Sequence, residues 1–329
     1  MTGGWVLALF APFATCVALI VWLRRSAWAA RLSDRPNERS LHTQPTPRIG
    51  GIAIVLSSMP FAMALAAPGL EVIWVLALAL ALVSLADDLR SLPIALRLAA
   101  HFAAAAIAVA SMTGAMVESS LLAALAAMVG LAWMTNLYNF MDGADGLAGG
   151  VTVVGFAACA LAAAQSGDTP LALGCAVLAS SALGFLLFNF PPARLFMGDA
   201  GSIPLGFLAG ALGLAGAIRG TWPPWFPLLV FSPFWVDASA TIARRLLHRE
   251  RIWIAHRSHY YQRLVLMGWS RRRLAVCAYA LMSAAATSAL AGRTQVGAIQ
   301  CAILIVWAVL YVAAIAAIER WSALKSASP

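Results

Sequence analysis

Long apolar runs constrain this chain more than any other feature. The hydrocarbon core of a bilayer is about 30 Å thick and needs roughly 20 apolar residues per helix. Only 11% of the 329 residues are charged, against about 25% in a typical soluble domain. Eleven runs that are poor in charge predict transmembrane spans at 4–23, 49–67, 70–86, 93–113, 119–136, 147–165, 170–188, 201–218, 225–243, 273–291 and 297–318. The sequence therefore predicts an all-α integral membrane protein with eleven transmembrane helices.

The distribution of positive charge predicts how these spans are oriented. With a periplasmic N-terminus and alternating spans, only Arg219 and Arg293 of the 22 lysine and arginine residues fall outside. This asymmetry obeys the positive-inside rule and favours a cytoplasmic C-terminus. The net charge of +9 then meets anionic lipid headgroups or an anionic substrate, without nucleic acid. Residues 1–329 are predicted to form one domain, with its motifs in 34–263 and its C-terminal helices in 273–318.

Two adjacent acids, Asp87 and Asp88, end one of the predicted spans. Neighbouring carboxylates repel each other unless a cation is close, and the C-terminus of a helix also disfavours negative charge. Because this placement is costly, it favours a metal-binding or general-base role over a structural one.

The segment NLYNFMDGADGLAGG at 136–150 follows another span and is unusually polar. Every third position carries an amide or a carboxylate, at Asn136, Asn139, Asp142 and Asp145. On a helical or 3₁₀ turn, this spacing places all four side chains along one edge. The glycines of the segment allow backbone to approach a ligand closely. The pattern lacks the acids of an EF-hand.

Two further loops on the cytoplasmic side carry candidate groups. FNFPPARLFMGDAGS at 188–202 contains a Pro-Pro pair that ends a helix, and its Asp199 suits either a helix cap or a Mg²⁺ ligand. DRPNERSLHTQPTPRIGG at 34–51 offers Arg39, His42 and Arg48, which suit either anion binding or an ordinary positive-inside loop.

The longest loop, at 244–273, contains the cluster His256, Arg257 and His259. One interpretation is a basic amphipathic helix that lies on the headgroups. The other is recognition of a diphosphate, in which the arginine guanidinium donates paired hydrogen bonds and the basic side chains contribute positive charge to the phosphate oxygens. Asp237, about two helical turns before Arg244, is either its intrahelical partner or a functional acid inside the membrane.

Together these loops gather acids, amides and basic groups at one membrane face, which suits phosphoryl transfer assisted by Mg²⁺. A transporter or flippase for a lipid-linked sugar is the main alternative. It requires polar residues along a path through the bilayer, and the sequence has few. A lipid-surface scaffold would explain the basic loops but not the acids.

The motif set resembles the polyprenyl-phosphate N-acetylhexosamine-1-phosphate transferases of glycosyltransferase family 4. The matching elements are DD at 87–88, NLYNFMDGADGLAGG, FNFPPARLFMGDAGS and HRSHYYQRL, in family order. PNERSLHTQPTPRIGG is most similar to the WecA/WbpL-like branch, which starts O-antigen synthesis. The resemblance implies transfer of an N-acetylhexosamine 1-phosphate from a UDP-sugar to undecaprenyl phosphate in the bacterial inner membrane. It further implies release of UMP, dependence on Mg²⁺ or Mn²⁺, and membrane lipids as partners.

The resemblance also implies roles for single residues. Asp87 is the expected proton acceptor, or alternatively the nucleophile that forms a covalent intermediate. Asp88 lies beside it, and Asp142 is a further catalytic acid near the nucleotide. Asp199 and Asn139 are the expected metal ligands. The expected substrate-binding residues are Asp145, Asn189, Phe196, which suits stacking on uracil, His256, Arg257, His259 and Arg48.

Several alternatives stay open at this level. The related phospho-MurNAc-pentapeptide translocases carry a lysine where this chain has Thr43, so that role passes to Arg39, His42 or Arg48. The translocase and WecA branches also place histidines more closely together in the loop at 244–273 than the His-Arg-Ser-His of this chain. This difference favours a smaller amino sugar such as GlcNAc, FucNAc or QuiNAc over muramyl-pentapeptide as the transferred group. A homodimer is expected by analogy with the family.

Overall fold

Over the residues that the structure describes, the chain is a helical bundle with one short strand pair. The computed structural model describes residues 2–34, 36, 44–113, 121–251 and 256–327. The first elements are α1 (Thr2–Arg25), α2 (Ala27–Arg31), β1 (Ser33–Asp34), β2 (Thr46–Pro47), α3 (Gly50–Ala64), α4 (Glu71–Arg90), α5 (Ile94–Thr113) and α6 (Leu121–Phe140). They are followed by α7 (Leu147–Gln165), α8 (Thr169–Asn189), α9 (Asp199–Ile218), α10 (Trp225–Val230), α11 (Ser232–Leu247), α12 (Tyr260–Leu266), α13 (Arg271–Gly292) and α14 (Gly297–Ala327).

Nine helices within these ranges are long and apolar enough to cross a membrane, namely α1, α4 to α9, α13 and α14. The other two predicted spans are also helical, but neither forms one long helix. The span at 49–67 becomes α3, which has 15 residues. The span at 225–243 divides at Phe231 into α10 and α11, because Pro233 in the first turn of α11 lacks the N–H that would continue α10. The predicted count of eleven is therefore not confirmed.

Helices α7, α8 and α9 form the centre of the bundle. Between 72% and 78% of the residues in their apolar windows are buried inside the protein, against 6% for α14. Phe156, Phe185 and Phe207 supply fully buried aromatic rings to this core. The central helices therefore form a rigid support for the loops that join them.

The start of α3 is attached closely to α9 and to the loop at 190–198. Gly51 lies so near the Gly201 backbone that a Cβ atom at either position would overlap the other. Gly50 N and Gly51 N donate to the carbonyls of Phe196 and Met197 at 2.9 and 2.8 Å, which satisfies two of the free N–H groups at the helix start. This attachment, together with the unpredicted pairing of β1 with β2, fixes the position of Arg48.

The loops meet at two opposite ends of the bundle. The site end is the end where Asp87, Asn139 and Asp199 lie. At the far end, Asp168 accepts hydrogen bonds from Arg219 Nε at 2.7 Å and Nη2 at 3.0 Å. Arg293 also lies at the far end, where it donates to the side chains of Gln165, the last residue of α7, and Ser166. The two arginines that the charge pattern assigned to the outside thus share one end, while the orientation in a membrane stays a prediction.

Candidate active site

A cavity of about 430 Å³ opens at the site end between α4, α5, α6, α9 and α11. Its polar lining comprises Ser84, Asp87, Arg97, His101, Asn136, Asn139, Asp199, His256, His259 and Gln262. Its apolar wall comprises Val83, Ile94, Leu98, Phe140, Ile203 and Ile242. Charged groups and aliphatic side chains therefore face one space, as binding of a charged amphiphile requires.

Asp87 lies at the end of α4, and its carboxylate is held from two sides. The helix ends at Ser91, which adopts a left-handed conformation with φ of 51°. The turn that follows lets Leu92 N donate to Asp87 Oδ1 at 2.7 Å. Arg97 Nη1, from the first turns of α5, donates to Asp87 Oδ2 at 2.6 Å. These donors offset the unfavourable charge at the helix C-terminus.

Asp199 faces the same cavity from the first residue of α9. Gly198 precedes it with φ of 77°, and the positive end of the helix dipole favours a carboxylate there. The Asn139 amide hydrogen-bonds to this carboxylate, and Asn139 Oδ1 accepts from Ser202 Oγ at 2.7 Å. Arg97 Nη1 lies 3.9 Å from Asp199 Oδ2. Arg97 thus stands between the two acids, although sequence reasoning gave it no role.

Asp88 points away from the cavity lining, toward the strand pair. Arg48 Nη1 lies 3.8 Å from Asp88 Oδ1, and Arg48 Nη2 lies 2.7 Å from Asp34. Burial alone would lower the pKa of Arg48, but the hydrogen bond to Asp34 and the nearby carboxylate charges raise it above its ordinary value. Asp88 Oδ2 is buried and has no hydrogen-bond partner among the described residues. Of the other candidates in this loop, Arg39, His42 and Thr43 lie outside the described residues.

The four polar residues of 136–145 do not share one edge, contrary to the sequence prediction. Helix α6 ends at Phe140, so the helical spacing holds only for Asn136 and Asn139, which both line the cavity. Asn136 Oδ1 lies 3.2 Å from His101 Nδ1. Asp142 and Asp145 follow in a turn outside the cavity lining.

Asp142 lies in this turn among other acids. Burial of its carboxyl, and secondly the nearby negative charge of Asp199, raise the pKa of Asp142 well above its ordinary value. A hydrogen bond from the Gly198 backbone acts in the opposite direction. A carboxyl group in such surroundings ionises more readily when a cation approaches, because positive charge stabilises its anionic form.

Asp145 and Asn189 connect the site loops to each other. Asp145 Oδ2 accepts from Ala193 N at 3.0 Å and lies 3.3 Å from Arg271 Nη1 at the start of α13. Asn189 accepts from Gly146 N and donates to the Leu195 carbonyl, both at 2.9 Å. Both side chains are buried, at 4% and 3% exposure, and three of these four contacts hold the backbone of the site loops in place.

Phe196 lies in the same loop, and its backbone connects β2 to α3. Its N–H donates to the Pro47 carbonyl at 2.8 Å, and its carbonyl accepts from Gly50. The ring is partly exposed and lies outside the cavity lining. Its expected stacking on uracil stays a prediction.

The basic cluster divides between the cavity and the surface. His256 and His259 line the cavity, with their rings 5.0 Å apart, whereas Arg257 is exposed. His256 Nδ1 lies 2.9 Å from Ser258 Oγ. Burial, with the nearby His259 and Arg245, lowers the pKa of His256 to about 4.

The oxygen atoms that face the cavity are of the kind that Mg²⁺ binds, although the described residues do not supply a complete coordination shell. Among the described residues, no three histidine, cysteine or acidic side chains converge as a metal-binding group. Mg²⁺ characteristically uses one or two carboxylates together with water and substrate phosphates. Asp199 with Asn139 meets that requirement, and the unpartnered Asp88 oxygen shows an excess of acceptors nearby.

The fold and the site together define a polytopic membrane protein with a charged cavity at one end. Residues 70–217, somewhat less than half of the chain, match glycosyl transferase family 4. The resemblance carried by the sequence motifs is therefore confirmed. The matched segment includes Asp87, Asn139 and Asp199, while Arg48 and the cluster at 256–259 lie beyond it.

Similar proteins extend the match over most of the chain. A probable undecaprenyl-phosphate N-acetylglucosaminyl 1-phosphate transferase of Bacillus subtilis is 28% identical, covering 83% of this chain and 81% of its own. A decaprenyl-phosphate N-acetylglucosaminephosphotransferase of Mycobacterium leprae is 29% identical, covering 84% and 79%. A phospho-N-acetylmuramoyl-pentapeptide-transferase of Lacticaseibacillus paracasei is 32% identical, but over only 44% of this chain and 43% of its own.

Proposed function

We propose that this protein transfers an N-acetylhexosamine 1-phosphate from a UDP-sugar to a polyprenyl phosphate such as undecaprenyl phosphate, releasing UMP. The observation that carries this proposal is the cavity in which Asp87, Arg97 and Asp199 face an aliphatic wall. The charged end suits phosphate groups, and the wall suits the first isoprene units of a lipid substrate. The match of residues 70–217 to glycosyl transferase family 4 supports the same reaction class.

N-acetylglucosamine is the sugar we favour. Relatives named for N-acetylglucosaminyl phosphate transfer align with 83% and 84% of this chain. The pentapeptide transferase of Lacticaseibacillus paracasei aligns with 44%. FucNAc and QuiNAc differ from GlcNAc by a hydroxyl group or an epimer and serve as comparison donors in the test.

In this reaction an oxygen of the lipid phosphate attacks the β-phosphorus of the UDP-sugar. The bond from that phosphorus to the bridging oxygen breaks, and UMP leaves with the bond electrons. Asp87 faces the cavity whereas Asp88 does not, so Asp87 is the residue that accepts a proton from the lipid phosphate. Arg97, held against Asp87 at 2.6 Å, orients this carboxylate and adds positive charge near the phosphates.

Asp199 and Asn139 are the residues that would hold Mg²⁺. When bound there, the ion neutralises charge on the diphosphate as it transfers. Asn139 is already oriented for this role by Ser202. His259, which also lines the cavity, supplies a further hydrogen-bonding group for the diphosphate or the sugar.

The reaction would occur at the cytoplasmic face of the bacterial inner membrane. Its product would start an O-antigen or another cell-envelope polysaccharide, and two copies of the chain would associate as a homodimer. These elements of the proposal follow from the family resemblance and the charge pattern.

The first test is a transfer assay with purified protein, undecaprenyl phosphate, UDP-GlcNAc and Mg²⁺. We expect UMP release matched by label in an organic-soluble product, and loss of both when Mg²⁺ is removed with EDTA. Asp87→Asn and Asp199→Asn should each lower kcat by about 100-fold or more, since general-base and charge-stabilising groups contribute at least that much. Arg272→Gln, at an exposed position at the start of α13, provides a comparison from the same end. Full activity in both aspartate variants would contradict the roles given to them.

A further inference from the structure

Asp237 holds the start of the short helix α12. Its side chain projects from α11 and is 12% exposed. Asp237 Oδ1 accepts from Tyr260 N, and Oδ2 accepts from Tyr261 N, both at 2.9 Å. A carboxylate of one helix therefore satisfies the free N–H groups of the next, which fixes the position of His259 directly before α12.

Asp237 does not pair with Arg244, which was the structural alternative raised by the sequence. Arg244 Nε instead lies 4.0 Å from Glu319 Oε1 on α14. Thr241 Oγ1 donates to Asp237 at 3.3 Å within α11. The charge of Asp237 is thus directed at α12 and at His259.

His259 stands between Asp237 and the cavity. Its Nδ1 atom is buried and lies 3.4 Å from Asp237 Oδ1. The ring lines the cavity, whereas Asp237 does not. Nε2 is then the nitrogen that remains for a ligand in the cavity.

The neighbouring rings fix the plane of the imidazole but not its protons. The ring centroids of Tyr261, Phe140 and His256 lie 5.8, 6.2 and 5.0 Å from that of His259. Stacking of this kind leaves open which nitrogen carries hydrogen. A carboxylate next to Nδ1 decides that question, because it attracts an N–H and repels a lone pair.

We infer that Asp237 is a positioning residue for the proposed transfer reaction, acting through His259. The carboxylate keeps hydrogen on His259 Nδ1 and supplies the counter-charge that lets Nε2 donate to a diphosphate oxygen. The separation of 3.4 Å shortens when substrate occupies the cavity, as hydrogen bonds at catalytic sites often do on substrate binding. This inference rests on the proposed function, since the diphosphate is the group that Nε2 contacts.

The test is a double-mutant cycle on the full-length protein, measured by UMP release. Asp237→Asn should lower kcat by about 10- to 100-fold, the loss typical when the partner that orients a functional histidine is removed. KM for the UDP-sugar should change less, because the interaction strengthens in the transition state. His259→Gln should cause a similar loss. In the double variant, kcat should be no lower than in the less active single variant, because Asp237 and His259 act as one unit.

A purely structural role for Asp237 gives a different pattern. Loss of the α12 start alone would lower the thermal midpoint, and the effects of Asp237→Asn and His259→Gln would then multiply. Thr241→Val, which removes a neighbouring contact but keeps the carboxylate, should retain kcat. Multiplying effects, or an Asp237→Asn enzyme as active as the wild type, would overturn the inference while the wild type still transfers sugar phosphate. A wild type that releases no UMP would overturn the proposed function, and the inference with it.

Discussion

At the residue scale, arginine rather than histidine supplies the fixed positive charge of the site. Arg97 contacts Asp87 and lies near Asp199, and Arg48 lies between Asp34 and Asp88. A guanidinium stays charged at any physiological pH. His256, with its pKa lowered to about 4, is neutral at pH 7. His256 would therefore contact a diphosphate through a hydrogen bond and not through a positive charge.

The lowered pKa of His256 makes a prediction about stability against pH. In the unfolded chain a histidine binds its proton near pH 6.5, whereas folded His256 does so only near pH 4. Between these values the unfolded state holds more protons, so folding stability falls as the pH decreases. We expect the thermal midpoint of the wild type in detergent to fall more between pH 6.5 and pH 4.5 than that of His256→Gln. At pH 7.5 the two midpoints should be similar, and equal falls at low pH would contradict the assignment.

The sequence motifs predicted the residue types of the site better than the contacts among them. Asp87, Asn139 and Asp199 do meet in one cavity, and two histidines join them. Arg97 was not assigned a role because that role depends on two residues outside α5, namely Asp87 at the end of α4 and Asp199 on α9. Asp237 was ambiguous for the same reason, since its partners lie on α12. Contacts between helices leave no periodic signal within either helix.

At the element scale, the crossing of α3 over α9 positions Arg48, and the two glycines at that crossing make it possible. Gly51→Ala would place a methyl group against the Gly201 backbone. Overpacking of this kind costs about 1–3 kcal/mol, and relief of it would move Arg48 away from Asp88. We expect a lower thermal midpoint together with a reduced rate of UMP release.

Gly130→Ala is the matched control for this prediction. Gly130 lies in α6, and a methyl group added there meets no atom of the described residues within 4 Å. Because alanine is favoured over glycine in helices, this variant should be as stable as the wild type or slightly more so. Equal behaviour of Gly51→Ala and Gly130→Ala would show that the α3–α9 contact does not support the site.

Apolar run length predicted where helices occur but not where they break. All eleven predicted spans are helical in the described chain, yet α10 and α11 separate at Phe231 within one apolar run. Pro233, two residues later, removes a backbone hydrogen-bond donor but adds no charge. A pattern of apolar residues therefore does not reveal the break. The pairing of Ser33 with Pro47 was also missed, because two-residue strands have too few side chains to show alternation.

At the scale of the whole molecule, the two ends of the bundle differ in charge. Arg219 is neutralised at the far end by Asp168. The site end instead gathers Arg48, Arg97 and Arg271 around acids that belong to the candidate site. Both the predicted topology and the proposed use of a nucleotide sugar require that this end face the cytoplasm.

Helix α13 offers a direct measurement of this orientation. Arg272 is exposed at its start at the site end, and Thr294 is exposed just after its last residue at the far end. A 22-residue helix spans about 33 Å at 1.5 Å per residue, enough to separate the two positions across a bilayer. In a background lacking the five native cysteines, Thr294→Cys should react with a membrane-impermeant thiol reagent in intact cells. Arg272→Cys should react only after the membrane is permeabilised, and the reverse pattern would place the site on the outer face.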